Sequence, residues 1–359
     1  MLMGTFHPLA RNGADAPKRR TELDHRERAV SPEGTKKHAS WPGTKRARDP
    51  SPARPAEGRK TMDVTFYGVR GSIASPGSDT ARVGGNTSTV EVQCGDSRIV
   101  LDAGTGLRAL GQRMLAKGES RKLTMLLSHY HWDHIQGLPF FAPLYVPGTE
   151  VEIVGQRAGL YGVREALEHQ MTAPVFPVRF SDLAATLVPR EVRPRDTFRV
   201  GDATVRVARG NHPGGVLAYR IDYAGESLVY ATDTEHYACL DPELLALAEG
   251  ASLLIYDAQY TPEEYRGERG PSKVGWGHST NVAAAELARA AGVRRLALFH
   301  HEPTRDDRGV EEVEAATQAL FPSTVAAREG MRIELSKRSV EAPLGDGRAG
   351  VPEGEKLVA

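Results

Sequence analysis

The order of the elements predicted along the chain indicates a layered α/β sandwich. Two observations support this prediction: strands come first in runs, and strands then alternate with helices towards the C-terminus. A (β/α)8 barrel would instead alternate strand and helix from the start, and we find no internal repeat. We therefore expect one domain over residues 62–336, with a tail on either side.

Four segments early in this domain have the β-branched content and short apolar runs typical of strands. They are MDVTFYGV (62–69), STVEVQ (88–93), RIVLDA (98–103) and KLTMLLS (122–128). A helix is expected from Leu107 to Leu115, between the last two. The polar residues that follow KLTMLLS therefore lie at the end of a strand.

The later part of the chain continues with six more predicted strands. Helices are expected near Asp241, over TNVAAAELARAA and over GVEEVEAATQALF. The second of these has capping residues from Ser279 to Asn281 and Gly292 after its end. The six strands are EVEIVG, ATVRVAR, VLAYRIDY, SLVYATD (ending at Asp233), ASLLIYDA (251–258) and RRLALFH.

The two tails differ from the domain in composition. The chain has 46 basic and 46 acidic residues and a formal net charge of zero, which argues against a polybasic nucleic-acid binder. Residues 1–61 carry 14 basic and seven acidic residues, lack hydrophobic periodicity, and predict a disordered basic tail. Such a tail either contacts nucleic acid or an acidic partner, or is a solvated appendage upstream of a true start at Met62. Residues 337–359 predict a second, flexible tail.

Other sequence features indicate the cellular compartment of the protein. No apolar run approaches the roughly 18 residues of a membrane span, and no secretory signal follows the first methionine. The two cysteines, Cys94 and Cys239, cannot form a disulfide framework. We therefore expect a soluble, cytoplasmic protein without a membrane partner.

Metal-binding side chains are concentrated in one string. SHYHWDHIQG has His129, His131, Asp133 and His134 directly after a predicted strand. Side chains alternate along extended chain, so His129 and His131 point the same way, and Asp133 and His134 follow as the chain turns. The four side chains are thus divided between two sides of the segment, and this arrangement suits two metal ions a few ångströms apart. A loop of surface histidines is the alternative interpretation.

The string resembles the signature of the metallo-β-lactamase-fold hydrolases, and the resemblance extends over most of residues 62–336. It implies a four-layer αββα sandwich with a dinuclear metal site at one edge. Matching positions recur downstream as His212 in NHPGG, Asp233 in YATDTEH and His300 in LFHHEP. The implied set is His129, His131 and His212 on one ion and Asp133, His134 and His300 on the other, with Asp233 bridging both.

Each downstream position has an alternative interpretation. Asp233 could cap a helix, His212 could be a turn residue, and a slip of one residue would exchange His300 for His301. Asp102 is expected to brace the metal-binding histidines, or else only to close a turn before Gly104. Zinc is the expected metal, with Mn²⁺ and Fe²⁺ as alternatives.

Two features reduce the number of reactions that the resemblance allows. Asp233 stands where true β-lactamases of the fold have Cys or Ser, which weighs against a β-lactam substrate. GWGHSTNV and SLLIYDAQY resemble segments of the transfer-RNA 3′-processing endonucleases and their phosphodiesterase relatives. This resemblance implies that His278 is a general acid oriented by Asp257, and that Asp133 aims a water activated by the two metals. Alternatively, His278 is only a residue at a helix N-terminus.

The amino-acid sequences of the loops indicate a narrower class of substrate. FYGVRGSIASPG, GGNTSTVEV and LDAGTGLRALG resemble the bacterial cyclic phosphodiesterase group, which implies a small cyclic phosphodiester or cyclic nucleotide as substrate. RNA processing is less favoured, because the region between Pro139 and Gly210 lacks the long Gly/Pro-rich arm of those endonucleases and contains a lid-like segment instead. Thioester, lactone and sulfate ester hydrolysis are further alternatives. Relatives are often dimers, so a homodimer is an open expectation.

Three residues are candidates for substrate contacts. Trp276 could stack on a base or pack against the lid-like segment. Arg70 and Arg305 could bind phosphate, although most arginines are simply solvated.

Overall fold

The computed structural model describes residues 61–336. The tails predicted for residues 1–61 and 337–359 lie outside the described residues, apart from Thr61. In the described part of the chain, two mixed sheets of seven strands each form the centre of the domain. Each sheet has three antiparallel pairings on one side and three parallel pairings on the other.

The first sheet is built mostly from the N-terminal half. Its edge strand β14 comes from the C-terminal end of the described chain and pairs antiparallel with β1. In order across the sheet, the strands are β14 (Arg332–Leu335), β1 (Met62–Gly68), β2 (Thr89–Cys94), β3 (Ser97–Leu101), β4 (Lys122–Leu126), β5 (Glu150–Gly155) and β6 (Thr186–Glu191).

The second sheet is built from the C-terminal half. In order across the sheet, its strands are β13 (Thr324–Ala326), β12 (Leu296–Phe299), β11 (Leu253–Asp257), β10 (Glu226–Ala231), β9 (Val216–Tyr223), β8 (Ala203–Gly210) and β7 (Thr197–Val200).

Helices cover the outer face of each sheet. None of the helices within residues 61–336 has the length and apolar character needed to cross a bilayer. The α-helices are α1 (Leu107–Ala116), α2 (Trp132–Ile135), α3 (Val163–Gln170), α4 (Pro242–Ala248), α5 (Pro262–Arg266), α6 (Asn281–Ala290) and α7 (Asp307–Gln318).

Alternation along the strands divides the core into layers. Ile99 and Leu101 of β3 lie in the core between the two sheets, whereas Val100 packs with α1 and α3 on the outer face. Likewise Ile255 of β11 lies between the sheets and Leu254 packs with α4, α6 and α7. Both faces of each sheet are therefore buried. These layers confirm the predicted four-layer αββα sandwich.

The ten predicted strands are the ten interior strands of the two sheets, and the four strands that the prediction missed are the four edge strands. Edge strands are short and partly exposed, so they lack the apolar runs that identify interior strands. The edge strand β6 even contains Pro189, which a central strand would exclude. The segment expected as a lid contributes α3, whose Val163 and Leu167 belong to the outer layer of the core.

Three predicted strands also end earlier than expected, for one physical reason. β3, β10 and β12 stop just before Asp102, Asp233 and His300, whose φ values are 57°, 50° and 59°. A positive φ is incompatible with a strand and is uncommon for residues other than glycine. The backbone therefore turns sharply near the ends of these strands. All three residues are among the predicted site residues.

Replacing Ile255 by alanine tests the core between the sheets. Ile255 is fully buried in β11, so Ile255→Ala should lower the free energy of unfolding by about 2–5 kcal/mol through lost burial and a residual cavity. Urea denaturation measures the change. Leu160→Ala is the control, because Leu160 is 87% exposed and should change stability by less than about 0.5 kcal/mol.

Candidate metal centre

The candidate site lies where the carboxyl ends of strands from both sheets meet. His129 and His131 follow β4 of the first sheet, and Asp233 and His300 follow β10 and β12 of the second. His212 occupies the turn between β8 and β9. The fold thereby brings together side chains that are up to 171 residues apart in the sequence.

Three histidines form one group of nitrogen donors. The ligand atoms of His129, His131 and His212 lie within 4.8 Å of one another. His212 Nδ1 lies 2.8 Å from the carbonyl oxygen of Gly277, and therefore carries the proton and donates it. His212 Nε2 is then an acceptor, and it faces His131 Nδ1 at 3.0 Å. Converging imidazole nitrogens of this kind are the donors that divalent metals such as zinc prefer.

A second group contains carboxylates as well as histidines. The ligand atoms of Asp133, His134, Asp233 and His300 also lie within 4.8 Å of one another, and all four residues are buried. Asp133 Oδ2 lies 3.1 Å from His134 Nε2 and 3.0 Å from His300 Nε2. The backbone N–H of Ser72 also donates to this oxygen, at 2.8 Å.

Asp233 lies between the two groups. Its Oδ1 is 3.2 Å from both His134 Nε2 and His300 Nε2. Its Oδ2 is 3.7 Å from His129 Nε2 and 3.9 Å from His212 Nε2. One carboxylate thus presents one oxygen to each group, which is the arrangement that a ligand shared by two cations needs.

Two observations indicate that the site accommodates cations. His129 Nε2 is buried without a hydrogen-bond partner, and the buried His134 Nε2 faces the carboxylate oxygens of Asp133 and Asp233 at 3.1 and 3.2 Å without hydrogen-bond geometry. Burial lowers the pKa of His134, but the charges of Asp133, Asp233 and Asp102 outweigh it and raise the pKa well above its usual value. This excess of carboxylate around unpaired nitrogens favours positive charge, so the residues fit divalent metal ions.

Asp102 and Gln259 fix the orientation of two of these histidines. Asp102 accepts from His134 Nδ1 at 2.7 Å, from the Tyr230 hydroxyl at 2.7 Å, and from the backbone N–H of Ser128. Gln259 Oε1 lies 2.8 Å from His300 Nδ1. Each bond leaves Nε2 directed at the centre of the site.

Sequence reasoning named Asp102 but missed Ser128, Tyr230 and Gln259. Ser128 lies inside the histidine string and Gln259 follows Asp257 by two positions, so their location was a usable signal. Nothing in the sequence marks Tyr230, which contacts Asp102 from the other sheet.

His278 and Asp257 form a pair beside the second group. His278 Nδ1 lies 2.8 Å from Asp257 Oδ2 and 4.0 Å from Asp233 Oδ2. Burial lowers the pKa of His278, but the charge and hydrogen bond of Asp257 and the charge of Asp233 raise it to about 9. The backbone N–H groups of Gln259 and Ser279 also donate to Asp257.

An open cleft of about 450 Å³ leads to this pair and to both groups. Trp132, which sequence reasoning did not single out, lines the cleft and is 77% exposed. Its position inside the histidine string was the available signal. The residues that line the cleft are Ser72, Tyr130, His131, Trp132, Asp133, Asp233 and His278.

Arg70 and Arg305, the two predicted phosphate contacts, are engaged with other groups of the protein. Arg70 is fully buried, and its guanidinium donates to the carbonyl oxygens of Gly84 and Arg305. Arg305 forms an ion pair with Glu264 at 2.6 Å. Both arginines therefore hold loops together, and sequence alone does not give the depth of such a side chain.

The two remaining candidates near the site differ in exposure. Trp276 is half exposed, and Lys273 Nζ lies 4.0 Å from the centre of its ring. His301 is buried and its Nε2 donates to the carbonyl oxygen of Ala327 at 2.9 Å. His300, and not His301, therefore lies among the clustered side chains.

Replacing Gly277 by alanine tests the orientation of His212. A Cβ at Gly277 would collide with His212 Nδ1, so Gly277→Ala should weaken metal binding about 10- to 100-fold, the usual effect of losing a partner that orients a ligand. Competition with a chromogenic chelator measures the affinity.

Gly275→Ala is the matched control. Gly275 has a φ of 84° against 87° for Gly277, so both substitutions strain the backbone alike, but a Cβ at Gly275 meets nothing within 4 Å. Equal losses of metal affinity in the two variants would contradict the role of the Gly277 contact.

Comparison with known proteins agrees with this geometry. The family model described as a beta-lactamase superfamily domain matches residues 97–301, more than half of the chain. Ribonuclease Z of Methanopyrus kandleri is 27% identical over 306 residues, covering 77% of this chain and 99% of the relative. The metallo-beta-lactamase fold protein YhfI of Bacillus subtilis has a TM-score of 0.59 at 21% identity, covering 77% of this chain and 100% of YhfI.

A second solved structure shares the fold. A diphosphatase from the PhnP family has a TM-score of 0.56 at 19% identity, covering 77% of this chain and 98% of that chain. The match to the family model, the four-layer sandwich and the clustered histidines and carboxylates lead to one assignment. The chain belongs to the beta-lactamase superfamily, and it has the fold and the donor groups of a metal-dependent hydrolase.

Proposed function

We propose that the protein is a dinuclear metal-dependent phosphodiesterase that hydrolyses a small cyclic phosphodiester or cyclic nucleotide. The observation that carries the proposal is the position of the His278–Asp257 pair, directly beside the Asp233 carboxylate that both donor groups share. Hydrolysis of a phosphodiester needs charge neutralisation and a proton for the leaving alkoxide, and this arrangement offers residues for both.

The two donor groups would each hold one divalent cation, with Asp233 shared. Zinc is the metal that we expect, because the donors are imidazole nitrogens and carboxylate oxygens; Mn²⁺ or Fe²⁺ would accept the same donors. When bound, such cations supply an activated water and neutralise phosphate oxygens. The proposed ligands are His129, His131 and His212 for one ion and Asp133, His134 and His300 for the other.

The remaining chemistry would fall to the side chains of the cleft. Asp133 would accept a hydrogen bond from the attacking water and aim it, while the Ser72 N–H holds the carboxylate in place. His278 Nδ1 is engaged by Asp257, so Nε2 is the nitrogen that would donate a proton to the leaving oxygen. Burial of this pair keeps the donor fixed in one orientation.

The shape of the described domain favours a small substrate. The residues between Pro139 and Gly210 include strands β5 to β8 and helix α3, and β5 and α3 contribute buried side chains to the outer core layer. The cleft is open and is bordered by the exposed Trp132, a surface on which a base could stack. Trp276, two residues before His278, is a second candidate for such a contact.

RNA processing is the second candidate function. Its specific support is the similarity to the ribonuclease Z of Methanopyrus kandleri along almost the whole length of that relative. The same proposed metal centre and proton donor would serve an RNA phosphodiester. Thioester hydrolysis has weaker support, because a thiolate leaving group hardly needs the proton that the His278–Asp257 pair would supply. Lactone and sulfate ester hydrolysis have no specific observation in their favour.

Hydrolysis of two phosphodiesters by metal-loaded protein tests the proposal. The protein should hydrolyse bis(p-nitrophenyl) phosphate and 2′,3′-cyclic AMP, but not an acyl-coenzyme A thioester. His278→Ala should lower kcat for 2′,3′-cyclic AMP by about 10²–10⁴-fold, the usual contribution of a general acid. The loss should be much smaller for bis(p-nitrophenyl) phosphate, whose leaving group hardly needs a proton.

The control variant is His169→Ala, because His169 is an exposed histidine on α3 that contacts Tyr161 and not the cleft. It should leave both activities unchanged. Thioester turnover without phosphodiester turnover would contradict the proposal. Cleavage of a transfer-RNA precursor with no turnover of 2′,3′-cyclic AMP would instead favour the second candidate.

A further inference from the structure

Glu235 is a buried carboxylate that the proposed reaction does not use. It lies two residues after Asp233, and only 9% of its surface is exposed. Three neutral donors bind its side chain: the Tyr265 hydroxyl at 2.6 Å and the backbone N–H groups of Gly275 at 2.7 Å and Gly277 at 2.9 Å. A buried charge needs such hydrogen bonds, and these three connect it to helix α5 and to the loop that contains Gly275 and Gly277.

The loop that Glu235 binds presents two backbone N–H groups to the carboxylate. Gly275 and Gly277 both have a positive φ, of 84° and 87°, and their N–H groups converge on the two carboxylate oxygens. Backbone N–H groups arranged in this way form a concave site for anions. In this protein the carboxylate of Glu235 occupies that concave site.

The same loop supplies two groups to the candidate site. The carbonyl oxygen of Gly277 accepts the Nδ1 proton of His212 at 2.8 Å. His278 follows immediately and meets Asp257 at 2.8 Å. The backbone N–H of Glu235 also donates to the carbonyl oxygen of Asn211, next to His212, at 2.8 Å. Glu235 therefore joins the segments that carry Asp233, His212 and His278.

We infer that Glu235 is a positioning residue that holds loop 273–278 so that His278 is presented to the leaving group. This inference rests on the proposed phosphodiesterase function and extends it to a residue that does not line the cleft. Glu235 would act through His278, without touching the reacting atoms.

Glu235→Gln is the informative substitution, because it preserves size while changing one acceptor into a donor. All three partners of the carboxylate donate hydrogen bonds. The NH2 group of glutamine cannot accept a hydrogen bond, so at least one of these donors would lose its acceptor. The control is Glu243→Gln on α4, whose carboxylate pairs with Arg195 on the surface.

The test compares leaving groups in metal-loaded variants of measured metal content. Glu235→Gln should lower kcat for 2′,3′-cyclic AMP by about 10- to 100-fold, part of the contribution of a general acid, with KM nearly unchanged. It should change turnover of bis(p-nitrophenyl) phosphate by less than about threefold, because that leaving group hardly needs the proton. Glu243→Gln should change neither.

A double variant separates positioning from a general loss of structure. Residues that act as one unit are not additive, so Glu235→Gln combined with His278→Ala should be no slower than His278→Ala alone. Losses that multiply, equal losses on both esters, or no loss on 2′,3′-cyclic AMP would each overturn the inference.

The outcome also distinguishes this inference from the function on which it rests. If the unsubstituted protein hydrolyses neither phosphodiester, the proposed function fails and the inference fails with it. If the unsubstituted protein hydrolyses both and Glu235→Gln keeps their ratio, only the role of Glu235 is overturned.

Discussion

The carboxylate of Asp233 is the group on which the arrangement of the site depends. One oxygen faces His134 and His300 and the other faces His129 and His212, so a single side chain links donors from both sheets. Buried carboxylates and unpaired imidazole nitrogens at this density are costly unless positive charge is present to balance them. The four-layer core gives these groups a rigid frame, because both sheets are buried on both faces.

The backbone turns that deliver these groups occur at the ends of strands. Asp102, Asp233 and His300 each adopt a positive φ where β3, β10 and β12 end. Strained residues of this kind persist only where the surrounding structure holds them, and they are concentrated at functional sites. In this protein two of these three side chains are also held by neighbouring groups, Asp102 by the Tyr230 hydroxyl and His300 by Gln259.

Loop 273–278 adds a further level of organisation. It brings the proposed proton donor His278 and the carbonyl oxygen that orients His212 onto one short segment. The buried carboxylate of Glu235 binds two N–H groups of that segment. The proposed metal centre and the proposed acid are thus connected through hydrogen bonds of one loop.

The sequence by itself determined the ten interior strands, the layered α/β class and the histidine string, because period-two apolar runs and ligand spacing are local signals. It did not determine the edge strands, whose exposed residues resemble loops, or the depth of Arg70, which is set by packing. The choice of His300 over His301 and the roles of Gln259, Tyr230 and Glu235 were likewise decided only by tertiary structure. Each depends on contacts between segments that are distant in sequence, and no local pattern encodes such contacts.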